Sequence, residues 1–252
     1  MEYTDQLKRN VIISSPPQRI ISLVPSQTEL LVDLDLEEKI VGVTKFCVHP
    51  SGLQKRKTIV GGTKNYRMEV IESLKPDLII GNKEENERSG IEELMGKYPV
   101  WMSDILNLED SLEMIGAFGQ MLGKKTKSEQ LVEKLKNDFA SSLPKKGNAI
   151  YLIWKDPIMA AGNDTFINEM LGFAGFENLV RTSRYPKLSE KELVELNPEH
   201  LLLSSEPYPF KESHLQYFKS LLPKANIRLV DGEMFSWYGS RLLKAKVYLE
   251  SL

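Results

Sequence analysis

Ile71-Glu72-Ser73-Leu74-Lys75-Pro76-Asp77-Leu78-Ile79-Ile80 reads as the end of a helix, a proline turn and the entry to a buried strand. Val194-Glu195-Leu196-Asn197-Pro198-Glu199-His200-Leu201-Leu202 repeats that pattern, with Pro198 standing 122 positions after Pro76. Ile20 and Ile150, inside the first strong apolar run of each half, are 130 positions apart. Two offsets near half the chain length predict two similar lobes.

Outward from these turns, short apolar runs recur at residues 19–24, 40–43, 77–80, 100–102, 149–154, 200–203 and 227–230. They are apolar on consecutive residues and do not alternate, the pattern of strands buried on both faces of a parallel sheet. The fold class is therefore α/β, with two Rossmann-like lobes built on parallel-sheet cores. Residues 124–143 carry Leu131, Val132, Leu135 and Phe139 at helical spacing and are followed by Pro144 and Gly147. This stretch predicts one connecting helix of about 20 residues, roughly 30 Å long. The expected boundaries are 1–122 for the first lobe, 123–144 for the helix and 145–252 for the second lobe.

Composition removes several partners. The 252 residues are 41% hydrophobic and 27% charged, with 33 basic against 35 acidic side chains, so a disordered chain is excluded and no basic field exists to hold nucleic acid. No segment approaches the roughly 18 uninterrupted apolar residues of a membrane span. One cysteine allows no internal disulfide and no cysteine-based zinc spacing. Met1-Glu2-Tyr3-Thr4-Asp5 places acids where an export signal needs a basic start. The chain as written reads as having no such signal, which leaves a cytoplasmic protein and a trimmed exported one both open.

In open parallel sheets ligands bind beyond the carboxyl ends of the strands. The loops there lack a dinucleotide-type glycine run, a phosphate-binding loop ending in Lys-Ser/Thr, or a Gly-x-Ser-x-Gly elbow. They are rich in rings: Phe46, Tyr66, Trp154, Tyr185, Tyr208, Phe210, Phe235, Trp237 and Tyr238. If the lobes face each other these loops line one cleft, and the rings favour a large flat or apolar ligand oriented by a few polar groups. Candidate ligand-binding residues are Ser26, Lys45, Phe46, Thr63, Lys64, Trp154, Tyr185, Glu206, Tyr208, Phe235, Ser236, Trp237, Tyr238 and Arg241. Trp237 is expected on an open loop after the last strand. Cys47 and His49, two apart, form a minimal soft-metal pair or, alternatively, a buried thiol beside a structural histidine. His200 reads as structural and His214 as a helix-flank residue.

The opening Pro17-Gln18-Arg19-Ile20-Ile21-Ser22-Leu23-Val24-Pro25-Ser26, the Leu74-Lys75-Pro76-Asp77 turn, the mid-chain helix and the Asn197-Pro198 turn together resemble the helical-backbone substrate-binding proteins of ABC importers. These are receptors for vitamin B12, haem and iron–siderophores, and the likeness covers nearly the whole chain in order. It implies two lobes joined by one helix, a ligand between them, no catalysis and no tightly bound cofactor. It also implies a monomer in the periplasm or cell envelope that docks on a membrane permease. Glu233-Met234-Phe235-Ser236-Trp237 is similar to the acid-plus-aromatic segment of B12 receptors, and Thr63-Lys64 fall where those receptors carry a tryptophan. Glu69 matches the docking glutamate of the first lobe. The second lobe has Lys191 at the matching place, flanked by Glu190 and Glu192, so that Glu192 is the candidate docking carboxylate there. The competing function keeps the fold but makes the chain a cytosolic enzyme or handling protein for a corrinoid or metal chelate, with Glu206, Asp231 or Glu233 as acid–base groups.

Overall fold

All seven apolar runs form parallel strands; six are largely buried, whereas the last, at residues 226–230, lies at a sheet edge and leaves Leu229 39% exposed. The computed structural model describes residues 1–252. Packing divides the chain into two units: Met1–Ile105 with Glu109–Leu135 and Tyr238–Arg241, and Leu106–Leu108 with Lys136–Trp237 and Leu242–Leu252.

The first unit opens with the antiparallel pair β1 (Glu2–Thr4) and β2 (Asn10–Ile12). It continues through β3 (Ile20–Ser22), α1 (Pro25–Asp33), β4 (Ile40–Val43), α2 (Leu53–Arg56) and β5 (Thr58–Ile59). α3 (Met68–Leu74), β6 (Leu78–Asn82), α4 (Arg88–Met95), β7 (Val100–Ser103) and α5 (Leu108–Met121) follow. Its main sheet has the order β5-β4-β3-β6-β7, all parallel. Ile21, Ile79, Val100 and Met102 pack against Ile71 of α3 and Ile91 and Leu94 of α4. On the opposite face Trp101 meets Phe118 of α5 edge-on at 5.0 Å. Burying each such aliphatic side chain contributes about 1.5–3 kcal/mol, so the doubly covered sheet is the main source of stability.

α6 (Lys125–Asp138) carries the chain from the first unit into the second. At 14 residues it is shorter than the 20 expected. It stops where Phe139 packs edge-on against Phe173. Beyond it the backbone is drawn into an extended path, with Leu143 N bonded to Phe173 O and Lys146 N to Gly175 O. β8 (Gly147–Trp154), β9 (Met159–Ala160), α7 (Phe166–Phe173), β10 (Phe176–Asn178), α8 (Glu190–Leu196) and β11 (His200–Ser204) come next. α9 (Glu212–Leu221), β12 (Asn226–Val230), α10 (Glu233–Ser236) and α11 (Leu242–Glu250) complete the chain. The second sheet has the order β10-β8-β11-β12, parallel, with β9 added antiparallel on β8.

The repeat seen in sequence is a structural one. α3 and α8 are both seven residues long and start 122 positions apart, as do the five-residue strands β6 and β11. Lys75 and Asn197, each preceding the proline, both lie in the left-handed region at φ 45°. The strand register refines the second offset. Ile20 pairs with Leu78, while His200, the counterpart of Leu78, pairs with Ala149. The counterpart of Ile20 is therefore Ala149, one residue before Ile150. Consecutive apolar residues give no alternation from which that register could be read.

The acid after each proline ties the turn to the central strand. Asp77 accepts from Gln18 N at 2.7 Å and Arg19 N at 2.8 Å. Glu199 accepts from Asn148 Nδ2 at 2.7 Å, and its own N–H donates to Asn148 Oδ1 at 2.8 Å. No helix is long and apolar enough to cross a membrane.

Candidate functional site

In the first unit the loops after β4 and β5 come together. Lys45 N donates to Gly61 O at 2.8 Å, and the Lys45 ammonium lies 5.0 Å over the Phe46 ring. Phe46 is 48% exposed, so this ring and cation form an open apolar platform. Thr63, half-buried, has its carbonyl held by Tyr66 Oη at 2.7 Å and Asn86 Nδ2 at 2.9 Å, while Lys64 is exposed. Asn86 pins this loop from β6, since its Oδ1 also accepts from Asn82 N at 2.8 Å. Burial pushes the Tyr66 hydroxyl up to about 12, so it stays a neutral donor to Thr63.

Ser26, Tyr238 and Arg241 belong instead to the buried interior of the first unit. Ser26 sits at the start of α1, where Pro25 takes the first helical position, and is almost wholly covered. Gln27 Nε2 donates to Ser103 Oγ at 2.5 Å and to Tyr238 Oη at 3.3 Å, and Asn82 Nδ2 donates to the same serine at 2.9 Å. Arg241 pairs with Glu29 at 2.7 Å, both side chains 5% exposed or less. Removing one member of such a pair leaves an uncompensated buried charge, at a cost of about 3–5 kcal/mol. Tyr238 and Arg241, expected at the ligand, are therefore core residues here. Residues 238–241 form a strap packed on α1, a role that four residues without periodicity do not announce in sequence.

In the second unit the loops after β8, β11 and β12 are joined through Glu206 and Tyr208. Glu206 Oε1 accepts from Ser236 Oγ at 2.8 Å and Trp237 Nε1 at 2.9 Å. Burial pushes its carboxyl above the ordinary value; the Ser236 bond opposes this, Glu233 adds to it, the Trp237 bond opposes and Asp231 adds. The approach requires glycine at 232, because a Cβ there would lie 2.4 Å from Ser204 Oγ and 2.6 Å from Glu206 Cγ. Trp154 is 39% exposed and meets Tyr208 edge-on at 5.4 Å. Tyr185 is half-buried with the Arg184 guanidinium 5.8 Å from its ring centre.

Phe235 and Trp237 depart from expectation. Residues 233–236 form the helical turn α10, not an open loop. Phe235 is fully buried, 5.0 Å from Tyr151 and 6.4 Å from Tyr248, which makes it a core residue of the second unit. Trp237 is 8% exposed with its indole N–H engaged by Glu206. The three neighbouring aromatics 235, 237 and 238 need no ligand to cover them, because the chain turns them into different surroundings.

Cys47 is fully buried, with its sulfur 3.2 Å from both Thr28 Oγ1 and Thr44 Oγ1. Burial pushes the thiol up, away from the thiolate a metal would need. His49 is half-buried two residues on, and no group of three or more His, Cys, Asp or Glu side chains could hold a metal ion. Cys47 is thus a buried thiol and not half of a metal pair with His49.

Glu69 is exposed in the first turn of α3. The 122-residue correspondence of α3 and α8 makes Lys191 its counterpart. The carboxylate of Glu192 is occupied locally, accepting from Ser189 N and Ser189 Oγ at 2.7 Å in a capping box. These Ser189 bonds, the backbone one first, hold its carboxyl below the ordinary range. Sequence reasoning overlooked Gly232 and Asn86 as the residues that fix loop geometry, although both stand in the loops it singled out.

Comparison with known proteins agrees with this architecture. The chain is 30% identical over 215 residues to the uncharacterized ABC transporter substrate-binding lipoprotein YvrC of Bacillus subtilis, covering 79% of this chain and 67% of that protein. It is 25% identical over 197 residues to the vitamin B12-binding protein of Yersinia pestis, covering 74% and 69%. A periplasmic haem-binding protein from Pseudomonas aeruginosa superposes with a TM-score of 0.79 at 23% identity, over 93% of this chain and 92% of that one, which speaks to the fold. The family model for periplasmic binding proteins matches residues 20–220, from β3 to α9, and with that span the chain belongs to the periplasmic binding protein family.

Proposed function

We propose that this chain captures a metal-bearing tetrapyrrole, corrinoid or metal chelate in the cell envelope and delivers it to an ABC permease. The observation that carries the ligand class is the pair of exposed ring platforms at strand ends, Trp154 against Tyr208 in the second unit and Phe46 beneath Lys45 in the first. A large flat ligand recovers most from such rings, since aromatic stacking contributes about 0.5–1.5 kcal/mol beyond the area buried. In the second unit Glu206 with Ser236 and Tyr185 supply polar groups for a ligand, and in the first Thr63 and Lys64 do. The names of the relatives, a substrate-binding lipoprotein of an ABC transporter and a vitamin B12-binding protein, support the same reading.

Docking to the permease falls to Glu69 on α3 and, on α8, to the exposed Glu192 beside Lys191. No tightly bound cofactor is required, and the protein acts as a monomer.

Native mass spectrometry and a visible absorption spectrum of the purified protein, before and after addition of vitamin B12, haem or a ferric chelate, test the ligand class. One equivalent of one of these chromophores retained through gel filtration is expected. A protein that retains none of them contradicts the proposal.

A further inference from the structure

Sequence reading leaves His214 as a helix-flank residue, and neither the family nor the site assignment uses it. Its ring lies at the third position of α9, where its Nδ1 accepts from Lys211 N at 2.8 Å. That nitrogen therefore carries the lone pair, and the proton of the neutral ring sits on Nε2. Nε2 is 3.2 Å from Tyr208 Oη and donates to it. The imidazole is also edge-on to the rings of Tyr208 and Phe210, 5.5 Å from each. Tyr208 in turn touches Phe210 at 4.9 Å and Trp154 at 5.4 Å.

A helix cap alone needs only one acceptor, which glutamine or glutamate at this position supplies. A histidine adds a donor on the far side of a rigid ring, so the start of α9 and the hydroxyl of Tyr208 are held at a set separation. We propose that His214 is a positioning residue for ligand capture: its Nε2–H fixes Tyr208, and Tyr208 fixes the face that Trp154 presents to the ligand. This rests on the assignment of Trp154 and Tyr208 to ligand binding. The residue between them in the chain of contacts, Tyr208, sits on a loop restricted by Pro207 and Pro209, which leaves its side chain as the adjustable element.

His214→Gln separates the two roles, because glutamine keeps the acceptor for Lys211 N and loses the bond to Tyr208. In the ligand-free protein, nitrogen chemical shifts should show His214 protonated on Nε2. With fluorotryptophan incorporated, the Trp154 resonance should shift alike in His214→Gln and Tyr208→Phe while the melting temperature stays within about 2 °C. Titration with vitamin B12 and haem should show about five- to tenfold weaker binding of the chromophore that the wild type takes. The double variant should be no weaker than either single one, since both remove the same bond. An Nδ1-protonated ring, or an unmoved Trp154 resonance, overturns the proposal. If Trp154→Ala weakens binding while His214→Gln does not, this proposal alone fails. If Trp154→Ala binds like the wild type, the site assignment fails and takes the proposal with it.

Discussion

α3 and α8 are each seven residues long, each ends on a non-glycine residue at φ 45°, and each passes through a proline and an acid into a five-residue buried strand. The loops leaving those strands have diverged. After β6, Asn82 Oδ1 accepts from Glu84 N and Glu85 N, and the strand end closes in a neutral network of Asn82, Ser103, Gln27 and Tyr238. After β11, Ser204 Oγ accepts from Glu206 N, and the carboxylate of Glu206, with Trp237, Ser236 and the Trp154–Tyr208 pair, gives that end charge and exposed ring surface. The frame that positions a strand is under packing constraint and is retained. The residues beyond the strand end are free of it and carry the chemistry.

The largest test of the shared frame is at Ile71 and Leu193, which correspond by the 122-residue offset and are both fully buried. Each truncation to alanine should cost about 2–5 kcal/mol. Hydrogen exchange should show the loss confined to the unit that carries the change. Loss spread equally over both sheets from either variant would contradict two separately built units.

A smaller difference is expected at the clamps. Asp77 receives two backbone N–H groups at 2.7 and 2.8 Å, whereas Glu199, at a more exposed place, receives the Asn148 side-chain amide at 2.7 Å and the Asn148 backbone N–H only at 3.4 Å. Asp77→Ala should cost about 1.5–3 kcal/mol and Glu199→Ala about 1 kcal/mol or less, measured by chemical denaturation. The reverse order would show that neither exposure nor the backbone partners set the strength of the clamp.

The frame was legible in sequence because its determinants are local. A residue before proline, an acid after it and a run of apolar residues form one continuous string at both Pro76 and Pro198. Strand register was legible only to within one residue, since Ile20 and Ile150 look alike when no polar residue marks a face. Candidate ligand residues were least legible. Phe235 and Trp154 are both aromatics next to strand ends, yet one is core and one is 39% exposed, and only the tertiary positions of Tyr151 and Tyr248 decide which. Cys47 likewise depended on the hydroxyls of Thr28 and Thr44, the former 19 residues away.

Lys75 and Asn197 hold the same left-handed backbone, at φ 45°, with different side chains. Left-handed backbone costs most L-residues about 1–2 kcal/mol, and asparagine tolerates it better. Lys75→Gly should therefore stabilise by about 0.5–1 kcal/mol, and Asn197→Gly by less, read from melting temperatures. Equal gains would mean that the two turns are equally strained.

The smallest effect is a pH trend at Glu206, absent by design from the neutral network after β6. The folded protein holds this proton more tightly than the unfolded chain does, so stability falls as pH rises from the ordinary 4.5 toward the raised value. Glu206→Gln cannot titrate and keeps an oxygen for Ser236 and Trp237. Its stability relative to the wild type should rise through that window and stay level above it. A difference independent of pH between 4 and 8 would show that the carboxyl is not perturbed by burial.

In the proposed function Trp154, 39% exposed, and the half-buried Tyr208 bind a metal-bearing macrocycle or chelate. Equilibrium absorbance titration of the wild type and Trp154→Ala with vitamin B12 and with haem, alongside their melting curves, tests it most directly. One-to-one binding of one chromophore by the wild type, at least about tenfold weaker binding by Trp154→Ala, and melting temperatures that agree closely are expected. Equal affinities in the two proteins, or loss of binding that only accompanies loss of folding, would contradict it.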